Sequence, residues 1–391
     1  MSPRIHDRLE EDRTHSIVEQ IRTVALDWFW AQAQRIHLTR DMRRFFQTLF
    51  GKTMNAKVRW GVLGAAEIAV RKVIPAMQRG ECSQVVAIAS RDLERATSAA
   101  AKLGISKSYG SYEELLADPD IEAVYNPLPN HLHVPWSIKA MEAGKHVLCE
   151  KPISLTVEEA KKLLEARGRT GMKIAEAFMV RTHPQWRKVF ELIAAGRIGT
   201  VRSIIGYFSY FNRDPKNIRN ILAYGGGALM DIGCYLIYVS RLAFADEPRR
   251  VCSLVEFDRD SGTDMLSSAM LDFPAGQSVF TCSTQVVPYQ RVQILGTERR
   301  IEVEIPFNAP PNKPCRIFVD DGSDFSGRSA ELLKFDVCDQ YTIQGDLFSR
   351  SVREGAGLSV PLEGSIRNMA VIEAVLRSAK SKQWETPAVE W

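Results

Sequence analysis

Three stretches hold residues whose types and spacing could do chemistry. In "HVLCEKPISLT" an apolar run ends at Cys149, and Glu150, Lys151 and Pro152 follow at once. If that run is a buried parallel strand, its C-terminal end opens on the crevice where such sheets bind ligands, and the lysine is delivered there. In "GGGALMDIGCY" Asp231 and Tyr235 stand four apart and share one face of any helix that follows the glycines. In "GVLGAAEIA", counting from Gly64, the chain reads G-x-A-x-x-A. That is the dinucleotide fingerprint G-x-G-x-x-G/A with Ala66 in place of the second glycine. Plainer readings stand beside each: a surface lysine before a loop proline, a helix-face acid with a core tyrosine, an ordinary strand–helix turn. His131, His133 and His183 read as packed or capping residues more readily than as catalysts. No His/Cys/Asp group has zinc spacing, so no metal is expected.

The elements that must position these residues change character along the chain. From Lys57 short apolar runs ("VRWGVLG", "SQVVAIAS", "IEAVYNPLP", "HVLCE", "MKIAEAF") alternate with helical segments. Ser111 with Glu114, and Thr156 with Glu159, have capping-box spacing, and Gly104 and Gly171 read as helix stops. Residues 56–178 are therefore expected to form a Rossmann-type, doubly wound parallel sheet that binds the cofactor. From 179 to 391 the pattern turns to alternating strands such as "TVRSIIGYFSYF", "DMLSSAMLDFP" and "QSVFTCSTQ", closed by the helix "GSIRNMAVIEAVLRSAKSKQ". This predicts an α+β domain with a large, mostly antiparallel sheet for substrate binding and oligomerisation.

The second predicted strand ends in Ser90-Arg91, where an NAD site usually carries an acid. A guanidinium and a hydroxyl suit a 2'-phosphate, so NADP is favoured, while the adjacent Asp92 keeps NAD admissible. Bulk properties agree with an ordinary globular chain: 391 residues, 45% hydrophobic, 25% charged, formal net charge +4. So small a net charge, with no basic cluster, gives no reason to expect nucleic acid. The seven cysteines include no CxxC pair, which fits a reducing, cytoplasmic setting. No run of 18 apolar residues predicts a membrane span. Residues 1–55 stand apart. They are Arg-rich, Arg43-Arg44 resembles a twin-arginine export signal, and the remainder reads as an amphipathic helix. Met54, just before the first strand, could also be the true start.

Six stretches in register resemble one family, the glucose-fructose oxidoreductase / inositol dehydrogenase (Gfo/Idh/MocA) oxidoreductases. They are "GVLGAAEIA", "ASRD", "YNPLPNHLH", "AGKHVLCEKPISLT", "EAFMVRTHPQ" and "GGGALMDIGCY". The segment "FNRDPKNIRN" is most similar to the NADP-dependent D-xylose dehydrogenases, with glucose-fructose oxidoreductase and dihydrodiol dehydrogenase as near relatives. The resemblance implies a cis Lys151–Pro152 bond, Lys151 beside the nicotinamide, Tyr235 as acid/base and Asp231 orienting the sugar or the lysine. It implies a cofactor lining of Gly64, Ala65, Ala66, Ile68, Ser90, Arg91, Leu128, Asn130, His133, Glu150, Lys151 and Arg181. The expected reaction is oxidation of C1 of a D-xylose-like cyclic aldose to a lactone. The proton would pass to Tyr235, its pKa lowered from about 10 by the Lys151 and nicotinamide charges. The alternatives are a trans-dihydrodiol or other sugar or polyol on the same site, or a sensor that binds NADP without turnover. Asn217 or Arg219 would touch sugar hydroxyls or form a rim or subunit contact. A homodimer or homotetramer through the second sheet is expected.

Overall fold

In the computed structural model the described residues are 56–389, so the readings made for 1–55 lie outside them. The first sheet is built from Val58–Leu63 (β1), Ser83–Ala89 (β2), Lys107–Tyr109 (β3), Ala123–Asn126 (β4), His146–Cys149 (β5) and Ile174–Glu176 (β6). All neighbours pair in parallel, in the order β3-β2-β1-β4-β5-β6. The strand order reverses between β1 and β4, and in such sheets ligands bind at that switch point, beyond the strands' C-terminal ends. The connecting helices are α1 (a π turn Ala69–Val73 running into Ile74–Gln78), α2 (Leu93–Leu103), α3 (Tyr112–Ala117), α4 (His133–Glu142) and α5 (Val157–Thr170). Their boundaries follow the sequence signals. Ser111 Oγ accepts from Glu114 N and Thr156 Oγ1 from Glu159 N, each at 3.1 Å, while Glu159 Oε2 reaches back to Leu155 N at 3.0 Å. Gly104 and Gly171 end α2 and α5 with φ of +65° and +69°, which a side chain would oppose.

After α6 (Pro184–Ala194) the second sheet begins with Val201–Phe211 (β7). Helix α7, a π turn Leu229–Gly233 running into Cys234–Phe244, crosses under it. Strands Arg250–Phe257 (β8), Asp264–Phe273 (β9), Gly276–Ser283 (β10), Gln285–Gly296 (β11), Arg300–Val303 (β12), Cys315–Asp320 (β13) and Glu331–Phe335 (β14) complete the order β14-β13-β12-β11-β7-β10-β9-β8. Only β7 and β10 pair in parallel; the other neighbours are antiparallel. The inner face buries Ile204, Phe208, Leu271 and Phe280 in one core with Leu236, Ile237 and Val239 of α7. The stretch Leu222–Phe244 is long and apolar enough to cross a membrane, but 78% of its apolar window is buried inside the protein.

Two last helices follow, α8 (Gln340–Glu354) and α9 (Leu362–Ser381). Helix α8 belongs by position to the block 179–391, yet it packs on the first sheet. Asp346 accepts from Glu81 N and Cys82 N at 2.8 and 2.9 Å, Thr342 Oγ1 donates to Ala76 O at 2.8 Å, and Arg353 grips Glu122 at 2.6 and 2.7 Å. Phe348 packs 5.2 Å from the fully buried Trp60 ring. The boundary at 178/179 is thus crossed a second time, which brings the first turn of α8 to the edge of the site.

Candidate active site

At the dinucleotide edge, β1 leaves the sheet at Gly64, whose φ is +91°. Leu128 Cδ2 lies 2.9 Å from where a Cβ would stand, so the turn needs glycine twice over. Helix α1 starts without a side-chain cap, which leaves its first amides for an anion. Ala65 and Ala66 form this turn, and Arg95 Nη2 pins it by donating to Ala65 O at 2.8 Å. At the end of β2, Ser90 is buried and its Oγ accepts from Asp92 N at 3.3 Å. The Asp92 carboxylate caps α2 by accepting from Arg95 N at 3.2 Å. Arg91 is exposed, beside Tyr112 and His131. An uncapped helix start, an engaged acid and an exposed guanidinium fit a dinucleotide carrying a 2'-phosphate.

Beyond this edge lies a cavity of about 340 Å³. Ile68, Leu128, Asn130, His133, Glu150, Lys151, Asp231 and Tyr235 all line it, so sequence-distant residues meet there. The Lys151–Pro152 bond is cis. The loop that carries it hangs on two buried groups: Ile153 N donates to Glu176 Oε1 at 2.8 Å, and Pro152 O meets His133 Nδ1 at 2.7 Å. Lys151 Nζ then donates to Asp231 O at 2.5 Å and to Asp231 Oδ1 at 2.8 Å. Asp231 Oδ2 accepts from Tyr210 Oη at 2.6 Å and Arg219 Nε at 2.8 Å. Burial works against a charged Asp231, but the Arg219 and Lys151 cations win and hold its carboxyl well below the usual range. Burial likewise opposes the Lys151 charge, and Asp231 outweighs it, so the ammonium persists above its ordinary range. Glu150 is pushed up by burial, against its 2.6 Å bond from Tyr125 Oη.

Tyr235 sits four residues after Asp231 on α7, nearly buried, with its ring 5.1 Å from Lys151 Nζ. Among the described residues its hydroxyl donates only to Met179 Sδ, at 3.4 Å. The expectation that Lys151 lowers the Tyr235 pKa is corrected here. The lysine's charge is taken up by Asp231, and burial, helped by Glu150 and Tyr341, raises the phenol well above its ordinary value. The helix is aimed by a group the sequence reading missed. Asp264 at the start of β9 is buried; its Oδ2 accepts from Leu229 N at 2.7 Å and from Ser267 Oγ at 2.8 Å. Its Oδ1 occupies the space a Cβ at Gly227 would need, and Gly227 has φ +120°. Burial pushes Asp264 up to about 6.

Two of the expected cofactor residues have partners within the protein. Arg181 is not among the residues lining this cavity, and its guanidinium lies 5.3 Å from the Phe190 ring. His133 is 1% exposed and its ring nitrogens lie 2.7 Å from two carbonyl oxygens, Leu128 O and Pro152 O, of which a neutral ring donates to one. Burial drops its pKa to about 4, so it props the lysine loop as a neutral ring. Asn130 donates from Nδ2 to Gly225 O at 2.8 Å and ties the glycine loop across the cleft. Arg219 turns out to hold Asp231. Tyr210 and Tyr341 are further residues that no spacing signalled. Among the described residues no group of His, Cys, Asp and Glu could hold a metal ion.

Comparison with known proteins agrees with this geometry. The model of the "oxidoreductase family, NAD-binding Rossmann fold" (GFO_IDH_MocA) matches residues 58–178, and the GFO/IDH/MocA C-terminal domain matches 186–302. An uncharacterised oxidoreductase of Rhizobium meliloti is 51% identical over 84% of this chain and 99% of its own length. The D-xylose 1-dehydrogenase (NADP(+)) 2 of Haloferax volcanii is 37% identical over 82% of this chain and 97% of its own. Among solved structures, a 3-ketoreductase of Actinomadura kijaniata in complex with NADP and TDP-benzene superposes with a TM-score of 0.76 at 29% identity, covering 82% of this chain and 98% of that one. With both family models matched in chain order and relatives of 51% and 37% identity covered almost end to end, the chain belongs to the GFO/IDH/MocA oxidoreductase family.

Proposed function

We propose that the protein is an NADP-dependent dehydrogenase that oxidises C1 of a D-xylose-like cyclic aldose to its lactone. The observation that carries this reading is the Lys151–Asp231 pair at 2.8 Å with Tyr235 beside it, in a cavity next to the dinucleotide turn. At about 340 Å³ the cavity is at the small end of ligand sites, which suits a monosaccharide beside a nicotinamide ring. The Haloferax relative acts on D-xylose with NADP, and the Actinomadura enzyme is solved with NADP. That enzyme is also known with a lysine changed to alanine and a tyrosine changed to phenylalanine, at positions 84 apart. Lys151 and Tyr235 have the same separation.

NADP, when bound, supplies the hydride acceptor. The chain's own residues handle binding and the proton. Lys151, fixed by Asp231, donates to the C1 oxygen and stabilises the negative charge that grows there. Arg219 and Tyr210 hold Asp231 so that the ammonium cannot swing away. Tyr235 in its phenolate form accepts the C1 hydroxyl proton. Because its pKa is raised by burial and by Glu150, that form is scarce at neutral pH. The oxidation rate should therefore climb with pH, roughly tenfold per unit between 7 and 9; a flat profile would remove Tyr235 as the base.

The deciding experiment is a panel of aldoses, polyols and diols with NADP, read by NADPH absorbance. Turnover of D-xylose or D-glucose is expected. Tight NADP binding without turnover of any member would instead make the protein a sensor. One observation favours a second reaction on the same site: with Lys151 and Tyr235 both protonated at neutral pH, the groups are also placed to give protons to a keto sugar. NADPH consumption with 3-keto sugars but no aldose oxidation would select it. We further propose that copies of the chain join through the outer face of the second sheet, which exposes Ile205, Leu254, Val287 and Tyr289. The seven free cysteines suit a reducing compartment such as the cytoplasm.

A further inference from the structure

The polar groups around the cavity divide into those spent on one another and those left over. Lys151, Asp231, Arg219 and Tyr210 bond among themselves, and Glu150 is bonded by Tyr125. Tyr341 is different. It comes from the first turn of α8, the helix that returns to the first sheet. Its backbone N–H is held by Asp339 Oδ1 at 2.9 Å, and Asp339 is itself tied to Arg79 at 2.7 Å. The side chain is partly buried and packs against both hydrophobic clusters of the protein. Tyr341 lines the cavity, and among the described residues its hydroxyl has no hydrogen-bond partner. It lies among the reacting groups: Glu150 acts on it electrostatically, and it acts in turn on Tyr235.

A phenol is both donor and acceptor, and leaving it unpaired once a ligand has displaced water is costly. A sugar hydroxyl offers the matching pair. Tyr341 and Tyr235 line the same small cavity; with Tyr235 assigned to the C1 oxygen, the hydroxyl matched to Tyr341 is taken as the adjacent one on the ring, since the other neighbour of C1 is the ring oxygen, which only accepts. We propose that Tyr341 is a specificity-determining residue whose hydroxyl bonds the C2 hydroxyl of the aldose, which rests on the aldose reading above.

The test compares whichever of D-xylose or D-glucose the protein oxidises faster with its 2-deoxy analogue. The unsubstituted protein should disfavour the analogue by about tenfold or more in kcat/KM, and equal turnover of the two overturns the proposal. Tyr341→Phe should lose about tenfold on the parent sugar and less than about twofold on the analogue, with NADP affinity unchanged. Equal losses on both sugars, or no loss on either, also overturn it. The discrimination by the unsubstituted protein needs no variant to fold. If the unsubstituted protein oxidises no aldose, the aldose reading falls and this inference with it. Aldose turnover with indifference to the C2 hydroxyl fells the inference alone.

Discussion

Helices α1 and α7 both deliver chemistry to the cleft, and they begin in opposite ways. Each follows a glycine in the left-handed region, Gly64 at φ +91° and Gly227 at φ +120°. Each opens on a π turn, a feature that recurs at functional sites. Yet α1 has no side chain at its start, whereas α7 is closed by the buried carboxylate of Asp264. An open start keeps amides and dipole for an anion that arrives from outside. A closed start spends them internally, and the helix gains a fixed position for Asp231 and Tyr235. On the proposed function one helix would bind with its backbone and the other with its side chains, and the cap distinguishes the two.

The largest expected effect comes from opening the closed end. Asp264→Ala leaves the Leu229 amide without its acceptor in a buried place. A loss of about 2–4 kcal/mol in unfolding free energy is expected in denaturant titration. A catalytic loss of about 100-fold should accompany it, since small displacements of reacting groups cost that much. NADP affinity should stay within a few-fold. If it falls as steeply as turnover, the two helix starts are not independent and the comparison fails.

The converse change closes the open end. Ala66→Asp places a carboxylate at the start of α1, where the cofactor's phosphates would meet a like charge. Binding titration should show NADP affinity reduced by about 100-fold, with thermal stability unchanged or slightly raised by the new cap. Unchanged affinity would mean that the pyrophosphate does not use this helix. A smaller loss is expected at the next strand. Arg91→Ala should weaken NADP by about tenfold and leave NAD nearly untouched, because only the 2'-phosphate is lost as a partner. An equal loss for both cofactors would assign Arg91 to the shared part of the dinucleotide.

Much of this contrast was legible in the sequence, and its limits have physical causes. The first sheet could be read because its strands are short apolar runs and its helices carry caps at Ser111 and Thr156 and stops at Gly104 and Gly171. Lys151, Asp231 and Tyr235 could be read because each sits in a recognisable stretch. Asp264 could not: it is one acid at the head of an alternating strand, and only the fold brings it to Leu229, 35 positions away. Tyr210 and Tyr341 look like any tyrosine of a strand or helix, and β14 and α8 gave no signal strong enough to assign. The charge logic failed for a similar reason. Lys151 reads as a free cation until Asp231, 80 positions on, is seen to neutralise it. Arg181 and His133 entered through the resemblance alone, and the surroundings they pack against, the Phe190 ring and the lysine loop, carry no signal in the sequence.

The smallest effect separates a contact from its consequence. At the open start of α1, Glu67 pairs with Arg71 at 2.6 Å, closer than Lys151 to Asp231 at 2.8 Å. The side chains of the first pair are 78% and 71% exposed, and those of the second 12% or less. Water screens the first pair and solvates either partner left alone, so a double-mutant cycle on Glu67→Gln and Arg71→Gln should return a coupling below about 0.5 kcal/mol. The second pair is largely shielded from water, and removing Asp231 leaves the Lys151 charge without its carboxylate in a buried site, whereas Asp231 would keep Arg219. A coupling above about 1 kcal/mol at Glu67–Arg71 would mean that the open helix start is held by its own side chains after all, and that its amides are less free for an anion than the absent cap implies.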